Sequence, residues 1–296
     1  MAVAATHALT GAMCGRCGVR FPTPCQESII LRIMKRMNYI KAAALLATTL
    51  AAASCSIKED RSPCPCWLDM DITGCASHTT EISLSAWGTE NLFSDKVSVA
   101  DYPDVYERTV TKGMVATSAY CGLSESMAQG SRIIIPEGKQ SDMLKVHTNI
   151  IDCTGEFAQD SVQLNRQYAT VFLSMEDERV HEALRVMEVR GEVCGIDYVT
   201  LEPVEGKFSF MTHPDDDGVW QFRLPRQNEG NDLKLITFAD GQEKDSLPLD
   251  EWIAKSGYSW LDKDLKDIYV NVDYAVGKVS VVIQGWIEGE YIDIKL

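Results

Sequence analysis

The chain has 296 residues, with 43 Asp plus Glu against 28 Lys plus Arg and an apolar fraction of 45%, the composition of a globular polypeptide rather than a low-complexity one. Residues 1–54 hold six basic residues (Arg16, Arg20, Arg32, Lys35, Arg36, Lys41) and one acid (Glu27), so residues 55–296 carry 22 basic against 42 acidic side chains, a net −20. A body that acidic, with no Lys/Arg stripe, repels phosphate backbones and anionic headgroups, which disfavours nucleic-acid binding.

Residues 1–33 read as a spurious N-terminal extension, because a secretory leader normally opens its chain and Met34 or Met37 would be a natural start. The Cys14-Gly-Arg-Cys17 pair within it has zinc-like spacing, but no second ligand pair follows. Residues 34–54 then read as a lipoprotein signal peptide: a basic stretch from Met34 to Lys41, followed by the apolar run Ala42 to Ala53. That run is too short for a membrane span, which needs about 20 residues, and fits a secretory apolar core of about 7–15. It ends Leu50-Ala51-Ala52-Ala53-Ser54-Cys55, which resembles a bacterial lipobox and makes Cys55 the expected site of acylation by a palmitate-like chain. The other reading is an ordinary cleaved signal with Cys55 as a structural thiol.

Residues 55–65 read as a tether. Within it, Lys58-Glu59-Asp60 looks like the surface-export signal of lipoproteins in Bacteroides-type Gram-negative bacteria, although a solvated tether is usually charged in any case.

From Cys66 onward the dominant period is two, the mark of half-buried strands. Leu68, Met70 and Ile72 alternate with Asp69, Asp71 and Thr73, and Glu81–Trp87 repeats the pattern. Further strands are expected at 131–136, 144–151, 167–175, 185–191, 207–211, 219–224, 233–239, 268–274 and 278–286. Two short helices are expected, at 177–184 and at Leu249–Lys255, where acids open and a lysine closes the segment before Ser256-Gly257. So many short strands between turn residues predict an all-β protein of two tandem β-sandwich domains, 66–160 and 161–296, divided in the polar stretch 155–166. Six cysteines (Cys64, Cys66, Cys75, Cys121, Cys153, Cys194) follow the anchor, and their pairing stays open.

Motifs that carry chemistry are incomplete. Gly122-Leu-Ser124-Glu-Ser126 lacks the second Gly of a nucleophile elbow, and His181-Glu182 lacks the second His of a zinc-protease helix. The acids of His213-Pro214-Asp215-Asp216-Asp217-Gly218 begin like a calcium loop, but Arg226 stands where the closing bidentate Glu belongs, so the segment reads as a hairpin turn and no metal is expected. Neither phosphate-loop pattern occurs. Of the six tryptophans, only Trp260, beside Tyr258 and Gly257 in a loop, reads as a surface candidate for a sugar platform.

The lipobox, Cys64 with Pro65, the strand opening with Trp67, and the run Asp267-Ile-Tyr269-Val-Asn-Val-Asp-Tyr274 followed by Val279-Ser-Val-Val-Ile-Gln-Gly-Trp286 together resemble the anchor-subunit family of type V fimbriae, the minor fimbrillins. The resemblance covers Met34 to about Glu288 and implies transthyretin-like β-sandwiches, a lipidated N-terminus, an outer-membrane surface location, no cofactor and no catalysis. It implies a protein that holds the base of a fimbria and limits its length, with a fimbrial shaft subunit as partner joined by β-strand complementation. The tail offers Ile292, Ile294 and Leu296 on one face of a terminal strand, either donated to that partner or kept as the last strand of its own sheet. A surface lipoprotein that binds glycans is the alternative.

Overall fold

The computed structural model describes residues 64–175, 186–239, 241–273, 278–283 and 292–295. The expected helix at 177–184, the leader and most of the tether lie outside them. The described chain runs β1 (Cys66–Asp71), β2 (Glu81–Trp87), β3 (Asn91–Ser98), β4 (Tyr106–Val110), β5 (Met114–Cys121), β6 (Met127–Gln129), β7 (Arg132–Ile134), β8 (Lys145–Asp152), β9 (Phe157–Ser161) and β10 (Asn165–Arg166). It continues with β11 (Tyr168–Met175), β12 (Met187–Asp197), β13 (Pro203–Thr212), β14 (Trp220–Pro225), β15 (Lys234–Ala239), β16 (Gln242–Pro248), α1 (Leu249–Lys255), β17 (Ile268–Asp273), β18 (Lys278–Ile283) and β19 (Ile292–Lys295). The fold is all-β, as the period of two predicts.

Four sheets group into two facing pairs. The first pair is β4-β1-β9 with β10-β8-β5-β2-β3, enclosing a core that includes Leu68, Met70, Ile82, Leu84, Val115 and Cys153. The second is β14-β11-β17-β18-β19 with β16-β15-β12-β7-β6, to which β13 adds through β12; its core is aromatic, with Trp220, Trp252, Phe208, Phe210 and Phe222. Two central strands, β1 against β9 and β11 against β17, are paired in parallel. Parallel neighbours need a long crossover between them, and here each crossover passes through the opposite sheet of its pair.

The hairpin β6–β7 comes early in the chain but pairs with the far end of β12, Gly195 opposite Ile134 and Asp197 opposite Arg132. A side chain on Gly195 would overlap the carbonyl oxygen of Ile133, so this close backbone approach requires glycine. A third cluster, Tyr120, Ile133, Leu144, Val146, Ile196 and Tyr198, seals the junction. Tyr198 packs on Tyr120 at 4.8 Å between centroids and edge-on to Trp87 at 6.4 Å, and Thr148 donates to the Val199 carbonyl at 2.7 Å. Chain from before residue 160 thus completes a sheet of the second pair.

Several elements differ from the sequence expectation. The polar stretch 155–166, where no strand is expected, contains β9, which pairs with β1 along its whole length. The strand expected at 185–191 continues to Asp197, with irregularities at Gly191 and Val193 that turn it from β15 toward β7. Strands β3, β4, β5 and β16 carry no clear alternation in the sequence and were not expected. Helix α1 occupies its expected residues, with Asp250 and Glu251 in the first turn and Lys255 in the last.

Candidate functional site

The terminal strand is the first candidate. β19 lies at the open edge of its sheet, antiparallel to β18, with Ile294 opposite Val279 and Ile292 opposite Val281. It is four residues long and, among the described residues, pairs with a strand on one side only, as β14 does at the opposite edge. Leu296, the third residue of the expected apolar row, lies outside the described residues. So do Cys55, Lys58, Glu59 and Asp60.

Buried ionisable groups form the second candidate. In the first pair of sheets Asp160 accepts hydrogen bonds from Thr117 Oγ1, from Asn149 Nδ2 at 2.9 Å and from His147 Nε2 at 3.0 Å. His147 Nδ1 accepts the backbone N–H of Gln163 at 3.1 Å, so the ring hydrogen sits on Nε2, facing the carboxylate. Burial acts to raise the Asp160 carboxyl, but its three donors outweigh it and hold it below the ordinary range. Thr117 donates to the aspartate rather than to the imidazole, and both ring nitrogens are occupied. The arrangement braces β5, β8 and β9 and leaves no base facing a nucleophile.

Asp142 is a second brace. It is 3% exposed and accepts the backbone N–H groups of Ser124 (3.0 Å), Glu125 (3.1 Å) and Ser126 (2.8 Å), together with the Ser124 hydroxyl. The Gly122-Leu-Ser124-Glu-Ser126 segment is therefore a loop folded around a carboxylate. Gly122 opens it at φ 91°, where a side chain would also collide with the Met143 carbonyl oxygen. In the second pair of sheets Arg226, 6% exposed, reverses the polarity: it donates to the backbone carbonyls of Trp260 and Asp262 (2.7 Å) and to Gln167 Oε1 (2.8 Å). Desolvation lowers the pKa of this guanidinium.

The acidic segment 213–218 forms the turn between β13 and β14. Asp215 Oδ1 accepts the N–H groups of Asp217 (3.0 Å) and Val219 (2.9 Å), so its carboxylate serves the backbone. Among the described residues no three His, Cys, Asp or Glu side chains gather at metal-binding distance. The six body cysteines are free thiols. Burial raises four of them; Cys75 reaches about 11, and Cys153, with Cys66 beside it, is pushed up to about 12. Trp260, expected at the surface, is 7% exposed and packs edge-on to Tyr258, which corrects the open-platform reading.

No family model matches the sequence. No curated protein matches it either. Solved structures do. The fimbrial anchor protein Mfa2 from Porphyromonas gingivalis superposes with a TM-score of 0.53 at 12% identity, covering 77% of this chain and 100% of that one. A candidate polysaccharide-binding protein from Bacteroides thetaiotaomicron gives 0.53 at 13% identity, over 76% of this chain and 98% of that one. The chain has the fold of these proteins. A candidate adhesin from Bacteroides ovatus follows at 0.50 and 13% identity, over 77% of this chain and 95% of its own. The fimbrial resemblance read from the Asp267–Trp286 region thus has a counterpart in the shape of the whole body.

The sequence reading missed the braces at Asp160, Asp142 and Arg226. A signal was present for two of them. Asp160 stands between polar neighbours in a strand whose other apolar face is short, and Arg226 directly follows the apolar strand β14, where a charge must find partners.

Proposed function

We propose that this protein is a surface lipoprotein that holds the base of a fimbria in the outer membrane and limits its length. The observation that carries the reading is the shared fold with a fimbrial anchor protein along all of that protein's chain. The lipobox ending at Cys55 and the export-like Lys58-Glu59-Asp60 add to it. An acyl chain contributes about 0.8 kcal/mol of membrane affinity per buried CH₂, and stable attachment takes more than one chain. A subunit fixed in this way retains every subunit joined to it and cannot be extended on its membrane side.

The joint to the first shaft subunit is β-strand complementation. In such joints backbone hydrogen bonds supply affinity and alternate side chains supply register. The short strand β19 supports this, because among the described residues it is paired along one side only, and a segment so bound exchanges at low cost. A one-residue slip would present Asp293 and Lys295 in place of Ile292 and Ile294.

Deleting the gene should give long fimbriae shed into the medium, and Cys55→Ala should give the same phenotype with the protein no longer in the membrane fraction. Cells that keep normal, attached fimbriae without the gene would exclude the anchor role.

A further inference from the structure

Cys66 and Cys153 reach one point of the first pair of sheets from its two sides. Cys66 is the first residue of β1, opposite Val110 of β4. Cys153 directly follows β8 of the facing sheet. Backbone bonds fix the junction: the Cys153 N–H donates to the Gly113 carbonyl at 2.8 Å, and the Trp67 N–H to the Glu156 carbonyl at 2.8 Å. The turn that begins at Cys153 therefore ends beside the residue that follows Cys66.

Leu68 and Met70 follow Cys66 into the core at every second position, and all three are fully buried, as is Cys153. The two thiols meet there. Their side chains share a hydrogen bond, and Cys66 donates in turn to the Trp67 carbonyl at 3.6 Å. Cys75 and Cys194 turn to carbonyls instead, of Val162 at 4.0 Å and of Glu205 at 3.7 Å. Contact between two sulfurs is the first geometric requirement of a disulfide. A bond here would also join residues far apart in sequence, the case in which a cross-link restricts the unfolded chain most.

We propose that Cys66 and Cys153 form a disulfide when the chain folds under oxidising conditions, stapling β1 to the end of β8. The thiolate of one cysteine attacks a sulfur of a disulfide oxidant, of the glutathione or dithiol-oxidase class, and releases one of its thiols. The second cysteine then attacks the mixed disulfide and releases the other. Two electrons pass to the oxidant, and the two cysteine protons end on its two thiols. Burial excludes an oxidant as well as water and raises both thiols, so the exchange belongs to the chain before its core closes. Afterwards the same burial shields the bond from reductants. That the cell offers such conditions rests on the surface location proposed above. There, an anchor at Cys55 brings the pull of a fimbria into the body at β1, whose sheet has three strands, and the bond passes that pull to the five-stranded sheet of β8.

The test takes the full chain, reduced and unfolded in urea, and refolds it in a mixture of reduced and oxidised glutathione. Free thiols are then trapped with N-ethylmaleimide, and the protein is mapped by peptide fragmentation without reduction. Cys66 and Cys153 should appear as one linked pair, lighter by two hydrogens than the separate thiols and closed to the reagent. Dithiothreitol should lower the urea midpoint of this protein by about 1 M or more. The double variant Cys66→Ala, Cys153→Ala should not respond to it, and Cys75→Ala should respond like the wild type. The map needs no variant, so it decides even where a substitution unfolds the core. The proposal is overturned if Cys66 or Cys153 is recovered alkylated, if either is linked to Cys64, Cys75 or any other cysteine, or if the double variant loses stability on reduction as the wild type does. Normal, attached fimbriae in cells lacking the gene would remove the anchor reading and leave this map unchanged.

Discussion

The two pairs of sheets differ in their cores, and loops along the chain are held by buried groups of opposite charge. Where β5 of the first pair leads into β6 of the second, a carboxylate collects backbone N–H groups: Asp142 takes those of Ser124, Glu125 and Ser126. In the second, a loop is held by a guanidinium that supplies backbone carbonyls: Arg226 reaches Trp260, Asp262 and Gln167. Their cores differ as well. The first is built from aliphatic and sulfur side chains such as Leu68, Met70 and Cys153, and the second from Trp220, Trp252, Phe208 and Phe222. A loop that leaves its sheet with N–H groups inward needs an acid beneath it, and one that presents carbonyls needs a base. The sign of the buried charge follows from the backbone of the loop rather than from any ligand.

The largest effects should come from the aromatic core. Trp220→Ala removes a fully buried indole from the second pair of sheets and should cost about 3–5 kcal/mol, read as a lowered urea midpoint. Its Nε1 has no hydrogen-bond partner, so Trp220→Phe should cost much less, since the substitution also removes an unpaired donor. Equal losses for the two variants would mean that the indole is better satisfied than this. Arg226→Met comes next. It leaves the Trp260 and Asp262 carbonyls and Gln167 Oε1 without their donor, at about 1–3 kcal/mol for each buried group left unpaired, reduced where the loop relaxes into water. Hydrogen exchange should rise in 258–265 while β1 to β5 stay protected. Exchange rising evenly through both pairs of sheets would show that they unfold as a single unit.

Strands such as β2, β11, β14 and β17 were legible in the sequence because each has one wet and one dry side, or ends sharply at turn residues. Strand β5 was not. Met114–Cys121 is buried on nearly every residue and achieves this with Thr117, Ser118 and Ala119, which do not register as an apolar run. Strand β16 failed for the opposite reason: Gln242 to Ser246 are exposed, as suits an edge, and read as loop. The crossing of β6–β7 to the second pair of sheets is a long-range pairing for which no local period exists.

Asp142→Asn tests the acidic half of the comparison. The asparagine keeps the shape but turns an amide N–H toward backbone donors, which should cost about 2 kcal/mol. Its pH dependence supplies a sign. Burial acts to raise the Asp142 carboxyl, but the Ser124 and Ser126 donors prevail and hold it below its ordinary value. A depressed native pKa contributes stability that is present above the unfolded value of about 3.9 and lost as pH falls through the native one. The wild type should therefore lose stability on acidification below about pH 4, and Asp142→Asn should have a flatter acid limb. Acid limbs of equal slope would mean that Asp142 is not held ionised by the loop. Arg226→Met should leave that limb unchanged, since a guanidinium does not titrate there.

The smallest expected effect separates buried charge from exposed charge. Lys96 and Glu81 lie on neighbouring strands β3 and β2 at 2.7 Å, the same separation as many of the buried contacts, but their side chains are 66% and 62% exposed. Water already solvates both groups, and fixing two long side chains costs entropy, so distance alone says little about their contribution. Lys96→Ala should shift stability by less than about 0.5 kcal/mol, and that shift should disappear at high salt. Asp142→Asn should keep its full effect in the same salt, because its partners are backbone groups shielded from ions. If Lys96→Ala were as damaging as Asp142→Asn, ion-pair geometry rather than burial would set the worth of a charge in this fold, and the contrast between the carboxylate and guanidinium braces would lose its physical basis.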